Sequence, residues 1–157
     1  MSQAKPPPPM KYFLAAFGPD PGALDSAAGK LSEALAGSGE GPSLGSPDFI
    51  SADLPLTETG YYEREMGPNL VKRYMTFPDL AGPELLPLLK LASRRIEDEF
   101  SASGHRTVNL DPGYVFEGGL VLSTFKFSGH RLYLGRGVWG ELTLHFHRGR
   151  FEPLPWT

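Results

Sequence analysis

Apolar residues recur along this chain with two periods, and the way those periods alternate predicts the order of the elements. Tyr12 to Phe17 form an unbroken apolar run closed by Gly18, which suits a buried strand. Asp20 and Pro21 offer an N-cap and a first helical residue. Leu24, Ala27, Ala28, Leu31 and Leu35 then fall at helical spacing, so a helix is expected up to Gly37. "GSGEGPSLGSP", residues 37–47, has the Gly, Ser and Pro content of a loop and leads to a second strand at about residues 48–54. "TETGYYEREMGPN" has no clean period and reads as an irregular connection with one helical turn. In residues 70–77, "LVKRYMTF", alternation predicts a third strand. A second helix is expected from Pro83 to Ser101, with Leu86, Leu89, Ile96 and Phe100 inward and "RRIEDE" largely in solvent.

Beyond that helix the chain reads as strand and turn. "GLVLSTFKF", "HRLYLG", "VWGELTLHFHRG" and "RFEPL" are separated by Ser128-Gly129, Arg136-Gly137 and Arg148-Gly149, short glycine turns that predict an antiparallel meander. The expected fold class is α+β: two helices packed on one face of a mostly antiparallel sheet, with a ferredoxin-like β-α-β-β-α-β start followed by a C-terminal β-meander. Pro6 to Pro9 predict a stiff polyproline arm, so residues 1–9 are assigned as a proline-rich tail and residues 10–157 as a single domain.

Bulk properties narrow this picture. Two cores in 157 residues would each be marginal, which favours one. A net charge of −3 argues against nucleic acid and acidic membranes as partners. Without cysteine there is no disulfide, no thiolate chemistry and no sulfur-based zinc site. No apolar span of 18 residues occurs, and a cytoplasmic, soluble protein is the expectation.

Four clusters carry candidate chemistry. Asn109-Leu110-Asp111-Pro112-Gly113-Tyr114 combines turn-forming residues, and such a turn would aim Asn109 and Asp111 into a cleft beside Arg106. Lys126, His130, Arg131 and Arg136 gather with three glycines around one hairpin and the turn after it, a set suited to a phosphate or carboxylate. The plainer reading of those cations is edge protection. Glu141, His145 and His147 would share one face of a strand, which reads as the wet side of a half-covered sheet rather than a metal site. Tyr61, Tyr62, Glu63 and Glu65 crowd one loop. The phosphate-loop, dinucleotide-binding, zinc-protease and nucleophile-elbow motifs are all absent.

"YYEREMG", "RTVNLDPGYV", "KFSGHRLYLGRGVWGELTL" and "GRFEPLPWT" resemble, in that order, the prokaryotic domain of unknown function family DUF4416. The likeness runs from the first strand to Trp156. It implies no activity, and the GTP-binding label carried by some relatives has no supporting motif here. It does imply that the stretches Tyr61 to Gly67, Asn109 to Tyr114 and His130 to Gly135, with Lys126 and Glu141, are family features rather than generic surface. His145 and His147 lie outside that pattern.

Together these readings point to a site for a small anionic ligand, phosphate-bearing or nucleotide-like. Arg106, Lys126, His130 and Arg131 would hold the anion, Asn109 and Asp111 would orient it, and Tyr62 and Glu141 would complete the binding set. Were a reaction catalysed, Asp111 or Glu65 would be the general base and His130 the acid. The rival is a protein-interaction module presenting Tyr61, Tyr62, Tyr133, Trp139 and Trp156. Geometry separates them: the ligand reading needs Arg106, Asp111, Lys126 and Arg131 around one hollow. No cofactor and no oligomeric state is legible.

Overall fold

The computed structural model describes residues 3–56 and 60–157. The first strand, β1 (Lys11–Gly18), runs through the middle of the molecule, with its side chains buried on both faces. Helix α1 (Pro21–Ser38) starts where Asp20 accepts a hydrogen bond from the Gly22 amide, with Pro21 in the first turn. It runs one residue past Gly37, to Ser38, because Gly39, at φ 73°, supplies the left-handed cap, whereas Gly37 stays helical.

The expected second strand is broken in two. β2 (Phe49–Ile50) and β3 (Leu54–Pro55) each contribute two residues to the edge of β4 (Val71–Thr76). The segment read as irregular contains helix α2 (Gly60–Met66), and residues 57–59 of that segment lie outside the described residues. A 3-10 turn at Pro83–Leu85 opens α3 (Leu86–Glu99). The strands β5 (Asn109–Phe116), β6 (Gly119–Thr124), β7 (Leu132–Gly135), β8 (Val138–His147) and β9 (Arg150–Pro153) follow.

The fold is α+β, with three helices on an antiparallel sheet of nine strands among the described residues. α1 and α3 cover one face, where Leu24, Leu31, Leu35, Leu86 and Leu89 pack on Tyr12, Leu14, Ala16 and Leu110. α2 sits on the other face, its Met66 and Tyr62 packed on Phe17. No helix among the described residues is long and apolar enough to cross a membrane.

Two sequence expectations fail for physical reasons that shape the site. Asn109 to Tyr114 is not a turn but most of β5, paired with β1 along nearly its whole length. Gly113 serves space, not curvature: a Cβ there would collide with the Val121 carbonyl and come within 2.6 Å of the Phe13 ring. Pro112 is tolerated because β6 joins β5 only from Gly113 onward, and the Ser123 hydroxyl takes the Pro112 carbonyl at 2.6 Å.

The C-terminal strands do not form a simple meander. The order is β5-β6-β8-β7, so β8 lies between β6 and β7. The turns at Arg136-Gly137 and Arg148-Gly149 are tight hairpins with positive φ at both residues. The link from β6 to β7 spans residues 125–131, long enough to pass β8 and too long for such a hairpin.

Candidate functional site

A cleft of about 320 Å³ opens between α2, α3, the start of β5 and the β6–β7 link, beside a smaller recess of about 150 Å³. The cleft is lined by Tyr61 and Tyr62 of α2, by Lys90, Arg94 and Glu97 of α3, and by Arg106, Asn109 and Asp111. Thr124, Phe125, Lys126 and Arg131 complete it. The recess shares Asp111, Thr124 and Arg131 with the cleft and adds Leu122, Ser123 and Glu141. Residues far apart in the chain thus meet around one hollow, as the anion reading required.

The reason they meet lies in the pairing of β5. Because β6 joins only at Gly113, the Leu110 amide and carbonyl lack a strand partner on that side. α3 supplies one. Glu97 Oε1 accepts the Leu110 N–H at 2.7 Å, and Lys90 Nζ donates to the Leu110 carbonyl at 3.0 Å. Lys90 and Glu97 stand seven residues apart, two helical turns, so both fall on the face turned toward β5. They are only 6% and 4% exposed. Lys90 also donates to Asp111 Oδ1 at 2.7 Å and lies 5.3 Å from the centre of the Phe125 ring.

The network continues without a gap. Asp111 Oδ2 accepts from Asn109 Nδ2 at 2.8 Å, and Asn109 Oδ1 accepts from Arg106 Nη1 at 2.9 Å. Arg106 grips Glu65 with two nitrogens at 2.7 and 2.8 Å. Hydrogen bonds from Arg106 hold the Glu65 carboxyl below its ordinary pKa. Burial pushes Glu97 the other way, against the pull of the Leu110 amide, Lys90 and Arg106.

On the opposite wall, Arg131 Nε donates to Glu141 Oε2 at 2.7 Å and Arg131 Nη1 to the Lys126 carbonyl at 2.8 Å. His130 Nε2 meets the same Glu141 oxygen at 2.8 Å, while Ser128 Oγ is 3.1 Å from His130 Nδ1. Burial alone would raise the Glu141 pKa, but the hydrogen bonds from Arg131 and His130 outweigh it and hold the carboxyl low. Among the described residues, the Lys126 ammonium, Arg131 Nη2 and Glu141 Oε1 have no hydrogen-bond partner.

The sequence-assigned residues therefore divide. Arg106, Asn109, Asp111, Lys126, Arg131 and Tyr62 line the cleft, and Glu141 lines its recess. Glu65 stands behind Arg106. His130 lines a separate apolar hollow with Tyr114, Leu132 and Leu142, its ring stacked on Trp156 at 5.0 Å. Arg136 reaches toward Glu40 instead, at 3.8 Å. Lys126 and Arg131 sit in the link between β6 and β7, not within strands.

The shared face expected for Glu141, His145 and His147 does not form. The register of β6 on β8 slips at Thr143, which turns Leu144 to the side of Glu141 and sends His145 and His147 to the other. His145 faces Glu152 at 3.5 Å, and no group of three or more metal-ligating side chains exists among the described residues.

Lys90, Arg94, Glu97, Thr124 and Phe125 escaped the sequence reading. For Glu97 the error was to count it with the solvated run "RRIEDE". The available signal was a lysine and a glutamate seven apart, both in register with Leu86 and Ser93 on the buried stripe.

The sequence profile described as Domain of unknown function (DUF4416) matches residues 34–157. The chain belongs to the DUF4416 family. The match begins within α1, so β1 and the start of α1 lie outside it, a shorter span than the resemblance implied. Every residue that lines the cleft or its recess falls within the DUF4416 match. Comparison with curated proteins and with solved structures gives no match.

Proposed function

We propose that this DUF4416 protein binds a small anionic ligand, phosphate-bearing or nucleotide-like, in the cleft between α2, α3 and the β6–β7 link. The observation that supports this is the excess of cations around one concave site: Lys90, Arg94, Arg106, Lys126 and Arg131 line it against two carboxylates, Glu97 and Asp111. Arg106 and Lys90 are committed to Glu65 and to Asp111, so they brace the site. The anion would be taken by Lys126 and Arg131, with Arg94 at the rim and Tyr61, Tyr62 and Phe125 as apolar walls. The volume lies at the lower end of the ~300–1,000 Å³ usual for small-molecule sites.

The arrangement favours binding over acid–base chemistry. Both Glu65 oxygens accept from Arg106, both Asp111 oxygens are hydrogen-bonded, and His130 opens onto the other hollow. A ligand that binds only the folded state raises its melting temperature. A thermal-shift screen against phosphate-bearing compounds should therefore give stabilisation that Lys126→Ala abolishes. A screen with no shift from any such compound would overturn the reading.

The second reading, a partner-binding surface, is favoured by Phe127, Leu132 and Tyr133, which are 74%, 76% and 60% exposed on the β6–β7 link and on β7 at the sheet edge. Tyr61, itself 71% exposed, and Tyr62 also line the cleft, and Trp156 donates to the Leu142 carbonyl and stacks on His130.

A further inference from the structure

The recess behind the cleft differs from the cleft in chemistry, and that difference narrows the ligand class, on the assumption that the anion reading is right. Cations crowd the outer cleft. The recess is lined mainly by groups that accept or exchange hydrogen bonds: the carboxylates of Asp111 and Glu141 and the hydroxyls of Ser123 and Thr124. Arg131 stands at the junction, and two of its groups and neighbours are spare. Its Nη2 is a donor without a partner among the described residues, and Glu141 Oε1 is an acceptor without one, on a side chain only 14% exposed.

A spare acceptor beside a spare donor, deep in a polar hollow, is complemented by a group that both donates and accepts. A hydroxyl does both; a phosphate monoester, largely dianionic at neutral pH, brings mainly acceptors, and any phosphate would be repelled by the two carboxylates. The anion thus belongs at Lys126 in the outer cleft, and the hydroxyl-bearing part of the same molecule in the recess. The apolar face of a sugar ring also suits the walls made by Tyr62 and Phe125.

We infer that the ligand is a phosphorylated polyhydroxy compound, a sugar phosphate or the ribose phosphate part of a nucleotide, held with its phosphate at Lys126 and a hydroxyl between Arg131 Nη2 and Glu141 Oε1.

Isothermal titration of the full chain with inorganic phosphate, glucose 6-phosphate and ribose 5-phosphate tests this. At least one of the sugar phosphates should bind ten or more times tighter than inorganic phosphate. In Glu141→Gln the amide oxygen can still accept from Arg131 while its NH2 replaces the spare acceptor, so that advantage should fall to less than threefold with phosphate affinity retained. If inorganic phosphate binds as tightly as both sugar phosphates, the inference fails and the anion reading survives. If none of the three binds, both fail. An advantage unchanged in a folded Glu141→Gln protein would also overturn the assignment of the hydroxyl to Glu141. Should that variant not fold, the ratio in the unaltered protein still decides.

Discussion

The two walls of the cleft are built from similar residues and do opposite things. On the α3 side, Lys90, Glu97, Arg106, Asn109, Asp111 and Glu65 are joined to one another and to the Leu110 backbone by a chain of hydrogen bonds, with Arg106 Nη1 3.7 Å from Glu97 Oε2. On the β6–β7 side, the Lys126 ammonium, one Arg131 nitrogen and one Glu141 oxygen are left over. A buried charge is tolerable only when paired and hydrogen-bonded, so the first wall is what the fold requires. Partnerless groups facing a hollow gain nothing for folding and are available to a ligand. The first wall should therefore answer to stability measurements and the second to binding measurements.

The largest effect is expected at Glu97. Glu97→Ala leaves the buried Leu110 amide without its acceptor, and chemical denaturation should show a loss of about 1–3 kcal/mol. Glu65→Gln should cost less, about 1–2 kcal/mol, because the Arg106 pair is partly exposed. Hydrogen exchange in α2 should accelerate, since Glu65 ties that helix to the residues preceding β5.

The pH dependence should have opposite signs at Glu97 and at Glu141. The raised pKa of Glu97 means that its contribution is complete below the unfolded value of ~4.3 and is lost as pH rises through the folded value. The stability gap between wild type and Glu97→Gln should shrink as pH is raised from about 4. The lowered pKa of Glu141 reverses this: its contribution is present above the unfolded value and is lost as pH falls through the folded one. The gap to Glu141→Gln should shrink on acidification below about 4. Denaturation midpoints across pH 3–8 would check both signs. The smallest stability effect belongs to Lys126→Ala, within about 0.5 kcal/mol, together with loss of phosphate binding. A large loss of stability there would erase the distinction between the walls.

Local chemistry in the chain determined a good deal. The Asp20-Pro21 start of α1, the β4 alternation, the helix after Pro83 and the hairpins at Arg136-Gly137 and Arg148-Gly149 are set by capping, periodicity and glycine's tolerance of positive φ, all read within a few residues. The residue types around the site, Arg106, Asn109, Asp111, Lys126, Arg131 and Glu141, were legible for the same reason.

Tertiary structure decided the rest, because pairing and burial depend on segments far apart in sequence. Pro112 and Gly113 look like a turn until β1 and β6 are seen on either side of them, and Glu97 looks solvated until Leu110 presents its amide. His145 and His147 lie on the face away from Glu141 only because one residue of slip at Thr143 reverses the alternation. Which charges are spent on the fold and which are left for a ligand is a property of the assembled cleft, since a hydrogen-bond partner supplied from dozens of residues away leaves no trace in local pattern.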